Sequence, residues 1–66
     1  SDPLLFYRAI GQYAWEHLGS QGKLRFEINR EFHRETCQLL EGFGFTGIEA
    51  RKDFYDNYRF VKATRP

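Results

Sequence analysis

Apolar side chains recur at helical spacing from Phe6 to Leu18. Phe6, Ile10, Ala14 and Leu18 fall four apart, Tyr7 and Tyr13 widen the stripe, and Arg8, Gln12 and Glu16 take the other side. That pattern predicts an amphipathic α-helix. Asp2 suits its N-cap, and Pro3 suits the first helical position, where a missing N–H costs nothing. Gly19 suits a left-handed stop at the other end, followed by a turn at Ser20-Gln21-Gly22.

At Lys23 the period changes from helical to two. Leu24, Phe26 and Ile28 point one way and Lys23, Arg25 and Glu27 the other, which predicts a half-buried strand. Asn29 is placed to cap a second helix beginning near Arg30, with Phe32, Thr36, Leu39, Leu40 and Phe43 on its buried side. Gly44 is its expected left-handed stop, with Phe45 folding back as the accompanying apolar contact. Residues 48–53 and 59–64 read as two further strands, joined by a hairpin loop in which Asp56-Asn57 suits positive φ. Arg65-Pro66 reads as a frayed end. The order is α-β-α-β-β. A strand, a crossover helix and another strand make a right-handed parallel unit, and the last strand returns antiparallel. The expected fold class is therefore α/β, with a three-stranded mixed sheet and two helices.

Size and composition narrow this further. With 66 residues the chain is one small domain or part of a larger one, and a domain of this size buries only about 60% of its unfolded surface. Seven Phe, four Tyr and one Trp supply apolar area where chain length does not. A net charge of +1, with basic residues scattered, favours neither nucleic acid nor an anionic membrane as partner. A single cysteine, Cys37, forms no internal disulfide and agrees with a reducing cytoplasm. No apolar run approaches the roughly 18 residues of a membrane span, and none resembles a signal peptide.

Candidate chemistry is sparse. His17 and His33 lack partners at metal-ligand spacing and read as surface residues. Cys37 lies one helical turn from His33, but nothing nearby would orient the imidazole or form an oxyanion hole, so it reads as a half-buried helix residue. Most aromatics follow the helical and strand periods and belong to a core. Tyr55 and Tyr58, expected to be exposed in the hairpin loop, are the exceptions and could anchor a protein partner. Asp53 and Arg59 are placed for a cross-strand ion pair pinning the hairpin.

The ordered combination of these segments resembles the C-terminal part of the HemK/PrmC family of release factor glutamine methyltransferases. Asp2-Pro3-Leu4 with Phe6-Tyr7-Arg8 is similar to the helix after that family's Asn-Pro-Pro-Tyr segment. Leu18-Gly19 through Gly22-Lys23-Leu24, then Phe26-Glu27-Ile28, resembles its next helix stop and strand. Leu39-Leu40, Gly44-Phe45 and Ile48 are similar to the following helix and strand, and Lys52-Asp53 with Asn57 and Arg59 to the closing hairpin. The chain departs from the pattern at Asn29, where glycine is usual, at Tyr58, where an acidic residue is usual, and at Tyr55-Asp56, where the turn lacks its frequent glycine.

The resemblance implies a Rossmann-like methyltransferase fold in which the closing strand inserts between its two predecessors. Residues 1–66 would then be the C-terminal subdomain of the catalytic domain. The implied activity of the intact enzyme is S-adenosylmethionine-dependent methylation of the Gly-Gly-Gln glutamine of peptide chain release factors, in translation termination. No Gly-rich loop follows a strand here, no acidic residue is placed for a ribose, and Asn-Pro-Pro-Tyr is absent. The expectation is thus a segment with no catalytic, cofactor-binding or metal residues, binding no cofactor and inactive alone. Two alternatives stay open: a ribosomal-protein glutamine methyltransferase of the same family, or a stand-alone α/β protein-interaction module.

In open α/β sheets, ligands sit beyond the carboxyl ends of the parallel strands. Glu27, Asn29, Tyr55, Asn57 and Tyr58 are accordingly candidates for a rim around the substrate protein's glutamine. Asn29 as helix cap and Glu27 as a strand-end carboxylate are the competing readings. An unpaired strand edge and an apolar sheet face left uncovered would also give weak self-association.

Overall fold

Both hydrogen-bonded ladders of this protein are made by its last strand. The computed structural model describes residue 2 and residues 4–66. The elements are α1 (Leu5–His17), β1 (Lys23–Glu27), a 3-10 turn (Arg30–Phe32), α2 (His33–Phe43), β2 (Thr46–Lys52) and β3 (Tyr58–Thr64). The sheet order is β1-β3-β2, with β3 antiparallel to each neighbour. The insertion of the closing strand is as the resemblance implied, but the expected mixed sheet is corrected: every paired ladder is antiparallel. β1 and β2 still run in the same direction. They do not pair with each other, because β3 lies between them.

Helix α1 differs in detail from its predicted form. It begins at Leu5 with Leu4 as the boundary residue, so Asp2 is not the N-cap. The Asp2 carboxylate nevertheless accepts the Leu4 N–H at 2.9 Å and pairs with Arg8, which holds it below the usual carboxylate range. The placement of Pro3 at the first helical position lies outside the described residues. At the other end Leu18 turns extended (φ −80°, ψ 136°), so Gly19 is not a left-handed stop. The positive φ falls on Gln21 instead, inside a turn closed by Gly22 N–H to the Gly19 carbonyl at 2.9 Å.

The buried face of α1 is also rotated from the predicted stripe. Tyr7, Gly11 and Ala14 are buried, whereas Phe6 and Tyr13 remain 68% and 66% exposed. Gly11 explains the shift. A Cβ there would stand 2.9 Å from the Phe43 ring, so α2 approaches α1 at its smallest residue and the bulky flank is turned outward.

Helix α2 ends as its sequence predicts. Gly44 is left-handed (φ 108°), its N–H reaches the Glu41 carbonyl at 3.0 Å, and the Phe45 N–H reaches the Leu40 carbonyl at 3.2 Å. This is the paired 5→2 and 6→1 closure of a Schellman motif. Phe45 is then buried, edge-on to Trp15 with ring centroids 5.3 Å apart. Arg65 is no frayed end. Its backbone exchanges hydrogen bonds with Gln21 and Gly22 (2.7 and 2.8 Å), and its guanidinium lies 3.6 Å over Trp15 while bonding the Trp15 carbonyl.

The core lies between the two helices and one sheet face, where Leu40 and Val61 are fully buried and Ile28, Phe45 and Ala63 nearly so. The molecule is only 15 Å across its thinnest axis, room for two layers. The other sheet face is charged, not apolar as expected. Glu49 bridges Arg51 (3.0 Å) and Lys62 (3.3 Å), and the Arg25 guanidinium covers Phe60 at 4.0 Å. These contacts hold Glu49 below the ordinary carboxylate range, Arg51 foremost and then Lys62. Large exposed apolar side chains lie elsewhere, on α1 and in the β2–β3 loop.

Thr36 is fully buried, and its hydroxyl has no hydrogen-bond partner among the described residues. Thr36→Val keeps the β-branched shape and removes that orphaned group. It is expected to raise unfolding free energy by about 1 kcal/mol in urea denaturation. A less stable variant would show that the hydroxyl is satisfied in solution.

Candidate functional site

The carboxyl ends of β1 and β2 lie at the same edge of the molecule, and three features shape the cleft there. The first is the exit from β1. The Ile28 N–H bonds the Arg59 carbonyl at 2.9 Å, continuing the β1–β3 ladder by one residue. The next amide, of Asn29, donates to the buried Tyr7 hydroxyl at 2.8 Å, which ties helix α1 to the end of β1. The Asn29 side chain then accepts the Glu31 N–H at 3.0 Å. Asn29 is thus a cap, as its residue type suggested, but of the 3-10 turn that precedes α2.

The second feature is the β2–β3 loop, organised around one carboxylate. Asp53 Oδ1 accepts the N–H groups of Tyr55 (2.8 Å) and Asn57 (3.1 Å), while Oδ2 accepts Arg59 Nε (3.1 Å) and Nη2 (2.9 Å). The Asp53 backbone bonds Asn57 and Asp56 as well. Asp56 takes the positive φ, 63°, that the loop requires. The expected Asp53–Arg59 ion pair is therefore present, and the same carboxylate also sets the loop's backbone. The Asn57 N–H chiefly, then the Arg59 guanidinium and the Tyr55 N–H, hold the Asp53 carboxyl below the usual carboxylate range.

The third feature is a bulge in β3. Arg51 opposes Phe60 and Lys52 opposes Tyr58, leaving Arg59 unpaired in the register. The extra residue puts Tyr58 on the helix side, where its ring stacks on His33 at 3.9 Å and Lys52 Nζ sits 4.9 Å from its centre. Tyr58 is half-buried, not exposed as expected, because His33 covers it.

Ile28, Asn29, Arg30, Asn57, Tyr58 and Arg59 enclose a cleft of about 310 Å³. Arg30 reaches across it to the Asn57 side-chain oxygen at 2.8 Å. Of the five rim candidates, the fold brings together Asn29, Asn57 and Tyr58. It places Glu27 in a separate groove with Arg25, Phe26, Arg59 and Phe60, because alternation sends Glu27 to the charged sheet face. Tyr55 stands at the hairpin tip, outside the cleft, 83% exposed. Sequence reasoning missed Arg30 as a cleft residue, and it placed Arg59 at this edge chiefly as the ion-pair partner of Asp53. The cap at Asn29 was a signal for Arg30, since the residue after a cap sits at the strand's carboxyl end.

Cleft chemistry follows from this lining. Two guanidinium groups and two carboxamides supply mainly donors, which suits carbonyl and carboxylate oxygens of a polypeptide. The turn after β1 contains no glycine, and of the two arginines Arg59 is ion-paired with Asp53. Elsewhere, burial pushes the Cys37 thiol up, which lowers its thiolate fraction. His17 stacks on Tyr13, and its Nδ1 lies 2.8 Å from the Tyr13 carbonyl oxygen. Among the described residues no cluster of three or more His, Cys, Asp or Glu could hold a metal ion, and no helix is long and apolar enough to cross a membrane.

The fold is α/β, two helices packed on an antiparallel three-stranded sheet, with a cleft beyond the carboxyl end of β1. Sequence comparison makes the class specific. The chain is 44% identical over 62 residues to a release factor glutamine methyltransferase of Flavobacterium psychrophilum, covering 94% of this chain and 22% of that protein. It is 34% identical over 64 residues to the protein of that name in Bacteroides thetaiotaomicron (97% and 23%), and 39% identical over 64 residues to that of Clostridium acetobutylicum (97% and 22%). Nearly the whole chain is thus similar to release factor glutamine methyltransferases, and it spans less than a quarter of the length of the curated relatives it matches. No protein-family model and no solved structure matches it.

Because the folded-state pKa of Asp53 is depressed, its contribution to stability is complete above the unfolded value of about 3.9 and is lost as pH falls through the lower folded value. Wild type is expected to exceed Asp53→Asn in stability near about pH 6, with the gap closing below about pH 4. Urea titrations of both proteins across that range check this. A gap that persists unchanged in acid would contradict the role given to the carboxylate.

Proposed function

We propose that this chain is the C-terminal subdomain of a Rossmann-like, S-adenosylmethionine-dependent protein-glutamine methyltransferase whose substrate is the Gly-Gly-Gln glutamine of peptide chain release factors. The observation that carries this reading is the similarity of nearly the whole chain to three proteins of that name. The cleft supports it from a different direction. A donor-rich opening beyond the carboxyl end of β1 suits a polypeptide segment carrying a side-chain amide.

In this reading the chain contributes shape and positioning. Asn29, Asn57 and Tyr58 form one rim of the opening for the glutamine-bearing segment, with Arg30 and Arg59 offering donors to its carbonyl groups. Holding the target amide in a fixed orientation contributes to rate without any catalytic side chain from this segment. S-adenosylmethionine, which supplies the methyl group when bound, is held by residues outside this cleft.

The test uses a full-length methyltransferase containing this segment, incubated with S-adenosylmethionine and a purified release factor, with peptide mass spectrometry of the product. One methyl group on the glutamine of Gly-Gly-Gln is expected. Methylation of a different protein, or none of the release factor, would overturn the proposal.

A further inference from the structure

Phe54 and Tyr55 stand side by side at the tip of the β2–β3 loop with relative exposures of 104% and 83%. Apolar rings gain nothing by standing in water, and a loose loop would lay them against nearby apolar surface. This loop is not loose. The Asp53 carboxylate takes two backbone N–H groups and the Arg59 guanidinium, and the Lys52–Asp56 ion pair (3.3 Å) closes the turn from outside. The rings are presented by a fixed backbone. The presentation also adjoins the cleft, since Asn57 and Tyr58, three and four residues beyond Phe54, line it.

We infer that Phe54, with Tyr55 beside it, is the hydrophobic anchor on which the enzyme's protein substrate docks, next to the opening that receives the glutamine. The inference rests on the proposed function and assigns that function's recognition to a residue outside the cleft. A protein fits this end of the molecule better than any other partner. The rings want an apolar side chain, the neighbouring arginines and carboxamides want carbonyl or carboxylate oxygens, and one polypeptide surface offers both. The net charge of +1 supplies no field for a nucleic acid or an anionic membrane. A preformed loop also loses little conformational freedom on binding, which is how an exposed aromatic becomes an energetically dominant contact.

The experiment compares wild type, Phe54→Ala and Phe54→Leu in a full-length methyltransferase containing this segment. It measures the KM for release factor, kcat, the thermal midpoint and molecular mass by light scattering. Phe54→Ala is expected to raise KM about tenfold, with the loss in KM and not in kcat, and Phe54→Leu to fall between. The thermal midpoint and mass should stay unchanged, because the ring packs against nothing in this segment. An unchanged KM in an active enzyme overturns the anchor and leaves the proposed activity standing. A lowered midpoint means that the ring packs inside the complete protein, and a changed mass means that it meets a second copy; either overturns the anchor. A wild type that methylates no release factor overturns the proposed function and, with it, the partner assigned to the anchor.

Discussion

Strand β3 is the constraint on which the rest of the structure depends. It supplies one side of every ladder, so neither β1 nor β2 has a sheet partner without it. Its inward residues Val61 and Ala63 are also among the most buried in the chain. Insertion of a third strand separates β1 from β2 while leaving them pointing the same way. Their carboxyl ends therefore stand two strand spacings apart, roughly 9–10 Å, with the end of β3 between them. The cleft lies where the exit from β1 meets the start of β3, and its donors come from the residues that follow β1 and from the end of the β2–β3 connection.

The details of the cleft come from two local departures from regularity. The bulge at Arg59 re-aims its side chain toward Asp53 and turns Tyr58 onto His33. The Asp53 carboxylate then accepts from both the loop backbone and Arg59, so loop shape and the position of Arg59 are coupled through one side chain. Arg30 donates across the opening to the side-chain oxygen of Asn57, whose own backbone N–H is held by Asp53. The Tyr7–Asn29 hydrogen bond plays the matching part on the other wall, linking the cleft to the helix that begins the chain.

Much of this was legible in the sequence where a residue type has one dominant physical use. Gly44 and Phe45 announced the end of α2 and its apolar contact, the alternation from Leu24 to Ile28 announced β1, and Asp53 with Arg59 announced a pinned hairpin. What was not legible depended on contacts between distant segments. Which flank of α1 is buried is decided by Gly11 meeting Phe43, and helical period alone cannot rank Phe6 against Tyr7. Both are aromatic, and the buried one is the one whose hydroxyl has an amide to accept. Arg65 looked like a loose end because nothing local holds it; its partners, Trp15 and Gly22, lie far back in the chain. The mixed sheet was expected because strand-helix-strand units make parallel neighbours, and the inserted strand prevents that pairing. Glu27 was placed at the rim by its position at the strand end, whereas alternation sends it to the opposite sheet face.

The most direct test of the central claim is a measurement of strand neighbours by nuclear Overhauser effects in isotope-labelled protein. Cross-strand contacts from residue Val61 to both Phe26 and Ala50, with none linking β1 directly to β2, are the result the account predicts. Contacts between the backbones of β1 and β2 would contradict it, because β3 would then lie at an edge and would not join the two strands.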